Sequence, residues 1–166
     1  MCDYAKELFD NPNRVPYSID IVGHKSYLAE LAAGKNVVEL GVRCGFSTAC
    51  FLTSCESLTS YDVVMTPEAE ELQAKCSKWK FIKKSSLDVI IPDCDILFID
   101  TLHTYEQLMQ ELTLHHRNVK QRIVMHDTND TNLKNAIKDF LEKNAKWSVE
   151  RETPISNGLT TLLKSV

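Results

Sequence analysis

The chain has 166 residues, 43% of them hydrophobic, enough for one compact domain with a sizeable core and too few for a separate substrate domain. Its 19 basic residues stand against 23 acidic ones, a net charge of -4, so no global basic field draws it to a phosphate backbone and nucleic acid is disfavoured as a partner. No apolar run approaches the length that spans a bilayer, and Met1 to Lys6 lacks the layout of a signal peptide, so the reading is a cytoplasmic protein without a membrane partner.

Taken in chain order, residues 1–34 read as a cover over the rest of a single domain, 1–166, rather than as a domain of their own. Asn11-Pro12-Asn13-Arg14-Val15-Pro16 is rich in turn formers. Tyr27, Leu28, Leu31 and Ala32 share one helical face, and Gly34 stops that helix. Strand-like runs follow at Asn36 to Leu40, Leu58 to Asp62, Lys80 to Lys84, Asp95 to Ile99, Arg122 to Met125, Trp147 to Arg151 and Leu159 to Leu163. Between them lie helical stripes. Thr66-Pro67 opens one that carries Ala69, Leu72 and Cys76; Tyr105, Leu108, Met109 and Leu112 form a second; Leu133, Ala136, Ile137, Phe140 and Leu141 form a third. Such alternation predicts an α/β fold, a mostly parallel sheet with helices on both faces. The last two strands are joined by only Thr153 to Gly158, too short for a crossover helix, so the sheet should end in an antiparallel hairpin.

The most informative stretch is Val37-Val38-Glu39-Leu40-Gly41-Val42-Arg43-Cys44-Gly45-Phe46-Ser47. Gly41 and Gly45 permit a tight turn and close backbone approach to a ligand, and Ser47 and Thr48 are placed to open the next helix toward it. Glu39 is expected to repel a diphosphate but to accept a zwitterionic tail beside a sulfonium. This acid-x-Gly-x-x-x-Gly spacing resembles the first motif of class I S-adenosylmethionine-dependent methyltransferases. The Gly-x-Gly-x-x-Gly of dinucleotide binders would need glycine at Arg43, which argues against a nicotinamide oxidoreductase. The resemblance implies a Rossmann-like seven-stranded sheet.

Ligands of such sheets bind beyond the carboxyl ends of the strands, and those ends are polar here. Asp62 ends the second strand about twenty residues past the glycine loop, where a carboxylate can accept both hydroxyls of a ribose. Ser85 and Ser86, ending the third, are either adenine contacts or ordinary turn serines. Phe98-Ile99-Asp100-Thr101-Leu102-His103-Thr104-Tyr105-Glu106 and Val124-Met125-His126-Asp127-Thr128 resemble the strand-four and strand-five endings of one branch, the small-molecule and sugar O-methyltransferases related to the cephalosporin-hydroxylase and macrocin types. That resemblance implies cofactor contacts at Glu39, Gly41, Gly45, Ser47, Asp62, Ser85, Ser86 and Asp100. It also implies a magnesium ion held by Asp100 and Asp127. Leu102 and Thr128 depart from the branch, where many relatives carry further aspartates. Without the metal, His103 or His126 becomes the general base, with Asp127 contacting an imidazole or the substrate. His115 and His116 read as surface residues, and His24 carries no assignment.

Six cysteines (Cys2, Cys44, Cys50, Cys55, Cys76, Cys94) are scattered through apolar patterns with no Cys-x-x-Cys pair, and they read as thiols rather than as a disulfide framework or zinc site. The expected activity is O-methylation of a small hydroxylated or sugar-like acceptor. The alternative is a non-catalytic S-adenosylmethionine-binding module. The fourth strand lacks the Asn/Asp-Pro-Pro-aromatic ending of base N-methyltransferases, and a homo-oligomer is left open.

Overall fold

The computed structural model describes residues 2–165. Its seven strands are β1 (Asn36–Leu40), β2 (Ser57–Asp62), β3 (Trp79–Lys83), β4 (Cys94–Ile99), β5 (Val119–His126), β6 (Trp147–Thr153) and β7 (Leu159–Lys164). They form one sheet in the order β3-β2-β1-β4-β5-β7-β6. The first five are parallel, and β7 runs antiparallel to both β5 and β6, which is the expected closing hairpin. Chain direction across the sheet reverses between β1 and β4, and this switch opens a crevice at their carboxyl ends.

The two faces are covered by different helices because successive strand side chains alternate. On one side Val37, Leu58, Ile96 and Phe98 pack beneath α3 (Lys25–Ala32), α4 (Phe46–Leu52) and α5 (Pro67–Lys75). On the other, Val38, Leu40, Leu97 and Ile123 pack beneath α6 (Tyr105–His115) and α7 (Thr131–Lys143). Thr66 caps α5 by accepting from the Ala69 N–H at 3.3 Å, with Pro67 at the first helical position.

Two features depart from the sequence reading. The segment before α3 contains a regular helix, α1 (Asp3–Asp10), besides the short α2 (Ile19–Val22); Ala5 and Leu8, three apart, are the buried face that holds α1 in the core. With α1 docked beside α5, the Cα atoms of Cys2 and Cys76 come within 5.5 Å and the two residues form a disulfide. The reading of all six cysteines as thiols is thus corrected: four are free, Cys44, Cys50, Cys55 and Cys94. Since disulfides persist in oxidising surroundings, cysteine chemistry lends no support to the expected cytoplasmic location. Among the described residues no helix is long and apolar enough to cross a membrane.

Candidate active site

The glycine loop is built from the sheet outward. Strand alternation sends Glu39 to the same face as Val37, under α4, where it is 0% exposed. Three hydroxyls donate to its carboxylate: Ser47 Oγ at 2.6 Å, Thr48 Oγ1 at 2.7 Å and Ser60 Oγ at 2.5 Å. Ser60 is the register partner of Glu39 on β2 and itself accepts from the Trp79 indole N–H at 2.8 Å. Burial pushes the Glu39 pKa up, the three hydroxyls offset part of that rise, and the result is about 7. Glu39 lines neither cavity described below. In this structure it ties α4 to β1 and β2, and Ser47 and Thr48 spend their hydroxyls inward on it instead of capping the helix.

Asp62 holds the loop from the other side. Its Oδ2 accepts from the N–H groups of Val42 (2.7 Å) and Arg43 (3.2 Å), and its Oδ1 from that of Val64 (3.0 Å). Gly41 has φ +88° and Gly45 φ +81°. A Cβ on Gly41 would lie 2.7 Å from the carbonyl carbon of Asp100, so the backbone of β1 passes the end of β4 at a distance only glycine tolerates.

Two cavities open at this crevice. The first, of about 510 Å3, is walled by Asp62, Val63, Val64, Ser85, Ser86, Leu102 and Gln107. Leu102, where the sequence departs from the branch pattern, is 68% exposed and, with Val63 and Val64, supplies the apolar part of the wall. The second, of about 420 Å3, is lined by Pro16, Tyr17, Asp20 and Ile21 of the N-terminal segment and by His103, His126, Asp127 and Asn157. The cavities share Gly41, Val42, Arg43, Asp100 and Thr101. Arg43 joins the loop to the N-terminal segment, pairing with Asp20 at 2.9 Å and lying 4.1 Å over the Tyr17 ring. Among the described residues, five non-glycine residues have positive φ: Tyr17, Arg43, Asp127, Ser156 and Asn157. Four of them line the second cavity, and strained backbone concentrates where a protein positions functional groups.

Asp100, His103, His126 and Asp127 come together at the floor of the second cavity. His103 Nε2 lies 2.9 Å from Asp127 Oδ2 and 3.8 Å from Asp100 Oδ1. His126 Nδ1 lies 3.0 Å from Asp127 Oδ2 and 3.4 Å from Asp100 Oδ1. The His126 contacts are ionic rather than directional, since Nδ1 makes no aligned hydrogen bond. Its Nε2 faces two carbonyls, Asp20 at 3.0 Å and Ser156 at 2.9 Å, which fixes a proton on that nitrogen. Asp100 and Asp127 raise the His103 pKa to about 10. Burial works against the charged form of His126, but the same two carboxylates outweigh it and raise its pKa to about 10 as well. Burial opposes ionisation of Asp100 and Asp127 too, and the imidazoles overcome it, holding both below the usual carboxylate range. His126, with its side chain 1% exposed, is held at Nε2 by two carbonyls, whereas the His103 side chain is 49% exposed. One oxygen or nitrogen from each of Asp100, His103 and Asp127 falls within 4.8 Å of the others, close enough to share a metal ion.

A second polar cluster, absent from the sequence reading, lies under the first cavity. Glu111 of α6 is buried and accepts from Ser86 Oγ (2.5 Å), Gln107 Nε2 (2.8 Å) and Thr101 Oγ1 (2.9 Å). His115, expected at the surface, is also buried, with Nε2 2.9 Å from the Ser86 carbonyl. Both project from the inward stripe of α6 beside Leu108 and Leu112; their i, i+3 spacing from Leu108 and Leu112 respectively was the available signal.

Residues 38–128, more than half the chain, match the family model of a methyltransferase domain. The chain belongs to that family, and its sheet and glycine loop make it a class I S-adenosylmethionine-dependent methyltransferase domain. No curated protein matches it by sequence. Among solved structures it is similar to the Burkholderia thailandensis 1,6-didemethyltoxoflavin-N1-methyltransferase with bound 1,6-didemethyltoxoflavin and S-adenosylhomocysteine, at 14% identity and TM-score 0.71 over 99% of this chain and 86% of that one. It is similar to a Staphylococcus aureus protein provisionally assigned as a caffeoyl-CoA O-methyltransferase, at 17% identity and TM-score 0.67 over 97% of this chain and 92% of that one. A third is an S-adenosylmethionine-dependent O-methyltransferase from Thermotoga maritima, at 13% identity and TM-score 0.64 over 87% of this chain and 65% of that one. At these identities the likeness is one of fold.

Proposed function

We propose that the chain methylates a hydroxyl of a small, hydroxylated or sugar-like acceptor. The observation that carries this reading is the pair of cavities meeting at Gly41 and Asp100. The more apolar one suits a nucleoside, with Asp62 and Ser85 beside the ribose and base. The polar one suits a methionyl tail and an acceptor. When bound, S-adenosylmethionine supplies a methyl group already activated by the sulfonium. The chain's own work is then alignment and removal of one proton. His103 faces the cavity and is the group we assign to take the acceptor's proton; the two carboxylates hold its pKa at about 10, so it acts in the fraction that has lost its own proton, and turnover should rise with pH through the alkaline range. Asp127 orients it, and His126 anchors Asp127 from below. The N-terminal segment, held by Arg43, covers the cavity and limits the acceptor to a small molecule.

A second reading rests on the closeness of Asp100, His103 and Asp127. Two carboxylates and an imidazole fit a divalent cation, with Mn2+ suiting the mixed donors at least as well as Mg2+. There it would acidify the acceptor hydroxyl, and His103 would serve as a ligand rather than as the base.

The test is methyl transfer from labelled S-adenosylmethionine to a panel of small polyols, sugars and phenols, with and without EDTA. His103→Ala is expected to lower turnover at least 100-fold and to change S-adenosylhomocysteine affinity less than threefold. Activity abolished by EDTA and restored by Mn2+ selects the metal reading. Cofactor binding with no transfer to any acceptor in the panel selects a binding module.

A further inference from the structure

We infer that Gln107 reads the 6-amino edge of the cofactor's purine and is held in the reading orientation by the buried Glu111 cluster; this rests on the nucleoside occupying the cavity that Gln107 lines. The amide's orientation follows from hydrogen bookkeeping. Glu111 is buried and accepts from Ser86 Oγ at 2.5 Å and from Thr101 Oγ1 at 2.9 Å. Ser86 has one hydroxyl hydrogen and spends it on Glu111, so toward Gln107 it can only accept. Gln107 Nε2 stands 3.1 Å from Ser86 Oγ and 2.8 Å from Glu111 Oε1. Both partners need a donor and lie only 2.5 Å apart, so an N–H shared between them holds the Nε2 end of the amide against the cluster. The Nε2 end cannot be exchanged with the Oε1 end without placing an oxygen against two acceptors.

The carbonyl oxygen at the other end of the amide has no donor among the described residues. The side chain lines the cavity together with Ser85, Ser86, Leu102, Val63 and Val64. A purine lying between the exposed Leu102 and the Val63-Val64 pair would meet an acceptor that cannot flip into a donor. A 6-amino group satisfies that acceptor, whereas a 6-oxo group sets oxygen against oxygen. Ser86 is pinned in turn by the buried His115, whose Nε2 lies 2.9 Å from the Ser86 carbonyl. Gln107 is thus a specificity-determining residue, while Glu111 and His115 are positioning residues.

The experiment compares the affinity of the full chain for S-adenosylhomocysteine and for its deaminated counterpart, S-inosylhomocysteine, by calorimetric titration. The wild type is expected to prefer the amino form by roughly 10- to 100-fold, the cost range of an unmatched buried polar group. Gln107→Met removes both amide ends at nearly constant volume and should shrink that preference below about threefold, with Gln107→Ala as the second variant. A residue that merely supports the fold would weaken both ligands alike and leave the ratio unchanged. Equal wild-type affinity for the two nucleosides, or a ratio intact in either folded variant, overturns the inference and leaves the methyltransferase reading standing. A wild type that binds neither nucleoside overturns both.

Discussion

At the scale of single residues, the carboxylates and glycines around the loop act in ways their chemistry alone does not announce. Glu39 has the residue type of a ligand contact, but β1 turns it into the core, where its pKa rises from 4.5 to about 7. A carboxyl that keeps its proton longer in the native state stabilises the fold most below its unfolded pKa. That contribution is lost as pH rises from about 4.5 to about 7, and it does not change further above that. Glu39→Gln has no such dependence, so its stability relative to the wild type should improve between pH 5 and pH 8 by on the order of 3 kcal/mol. Urea unfolding at four pH values in that window checks it, and a flat difference would mean the carboxyl titrates as in water. Gly41→Ala adds a Cβ against the Asp100 carbonyl at φ +88°. It should cost at least about 2 kcal/mol and weaken S-adenosylhomocysteine binding more than tenfold, since the displaced backbone belongs to both cavities.

At the scale of elements, α1 and its disulfide are the part of the chain with the weakest local signal. The helix buries only Ala5 and Leu8, and the Cys2–Cys76 link across a sequence separation of 74 secures it to the end of α5. Closing a loop of that length removes unfolded-chain entropy worth at most about 4 kcal/mol. Reduction with dithiothreitol should therefore lower the unfolding free energy by about 2–4 kcal/mol; no shift between reduced and oxidised protein would show that the link is not formed. The strands were the most legible elements. Their alternation, and the short connection from Thr153 to Gly158, required an antiparallel end to a parallel sheet; the structure adds the order β5-β7-β6. Helix α6 was legible only as a helix. Its stripe of Leu108 and Leu112 was plain, but Glu111 and His115 share the buried side, and polar residues there fit only because Ser86 and Thr101 arrive from outside the helix, beside Gln107 one turn earlier, to pair with them.

At the scale of the molecule, the crevice between β1 and β4 gathers the glycine loop, the strand endings and the N-terminal segment into one place. Arg43 is a contact between loop and N-terminal segment, through Asp20 and the Tyr17 ring. Arg43→Ala should leave the fold intact, because the pair is half exposed and worth about 1 kcal/mol or less. It should raise the KM for the acceptor severalfold, more than it changes cofactor affinity. Steady-state kinetics with the acceptor found in the panel provide the check, and an unchanged KM would place the acceptor elsewhere. A ligand that fills the crevice also stabilises the whole chain. S-adenosylhomocysteine at one hundred times its Kd should add about 2.7 kcal/mol, visible as a raised Tm. No rise would remove the cofactor from the site.

The sequence by itself determined the fold class, the seven strands, the glycine loop and the strand endings that carry Asp62, Asp100, His103, His126 and Asp127, because periodicity and turn chemistry are local and survive without coordinates. Only the tertiary structure decided that Glu39 is buried, that His126 is locked between two carbonyls while His103 is open, that Cys2 meets Cys76, and that Glu111 is buried against Ser86 and Thr101. Each of these depends on which residues from distant elements arrive beside a given side chain. Burial, protonation and hydrogen-bond partnership are properties of that assembled neighbourhood rather than of the residue.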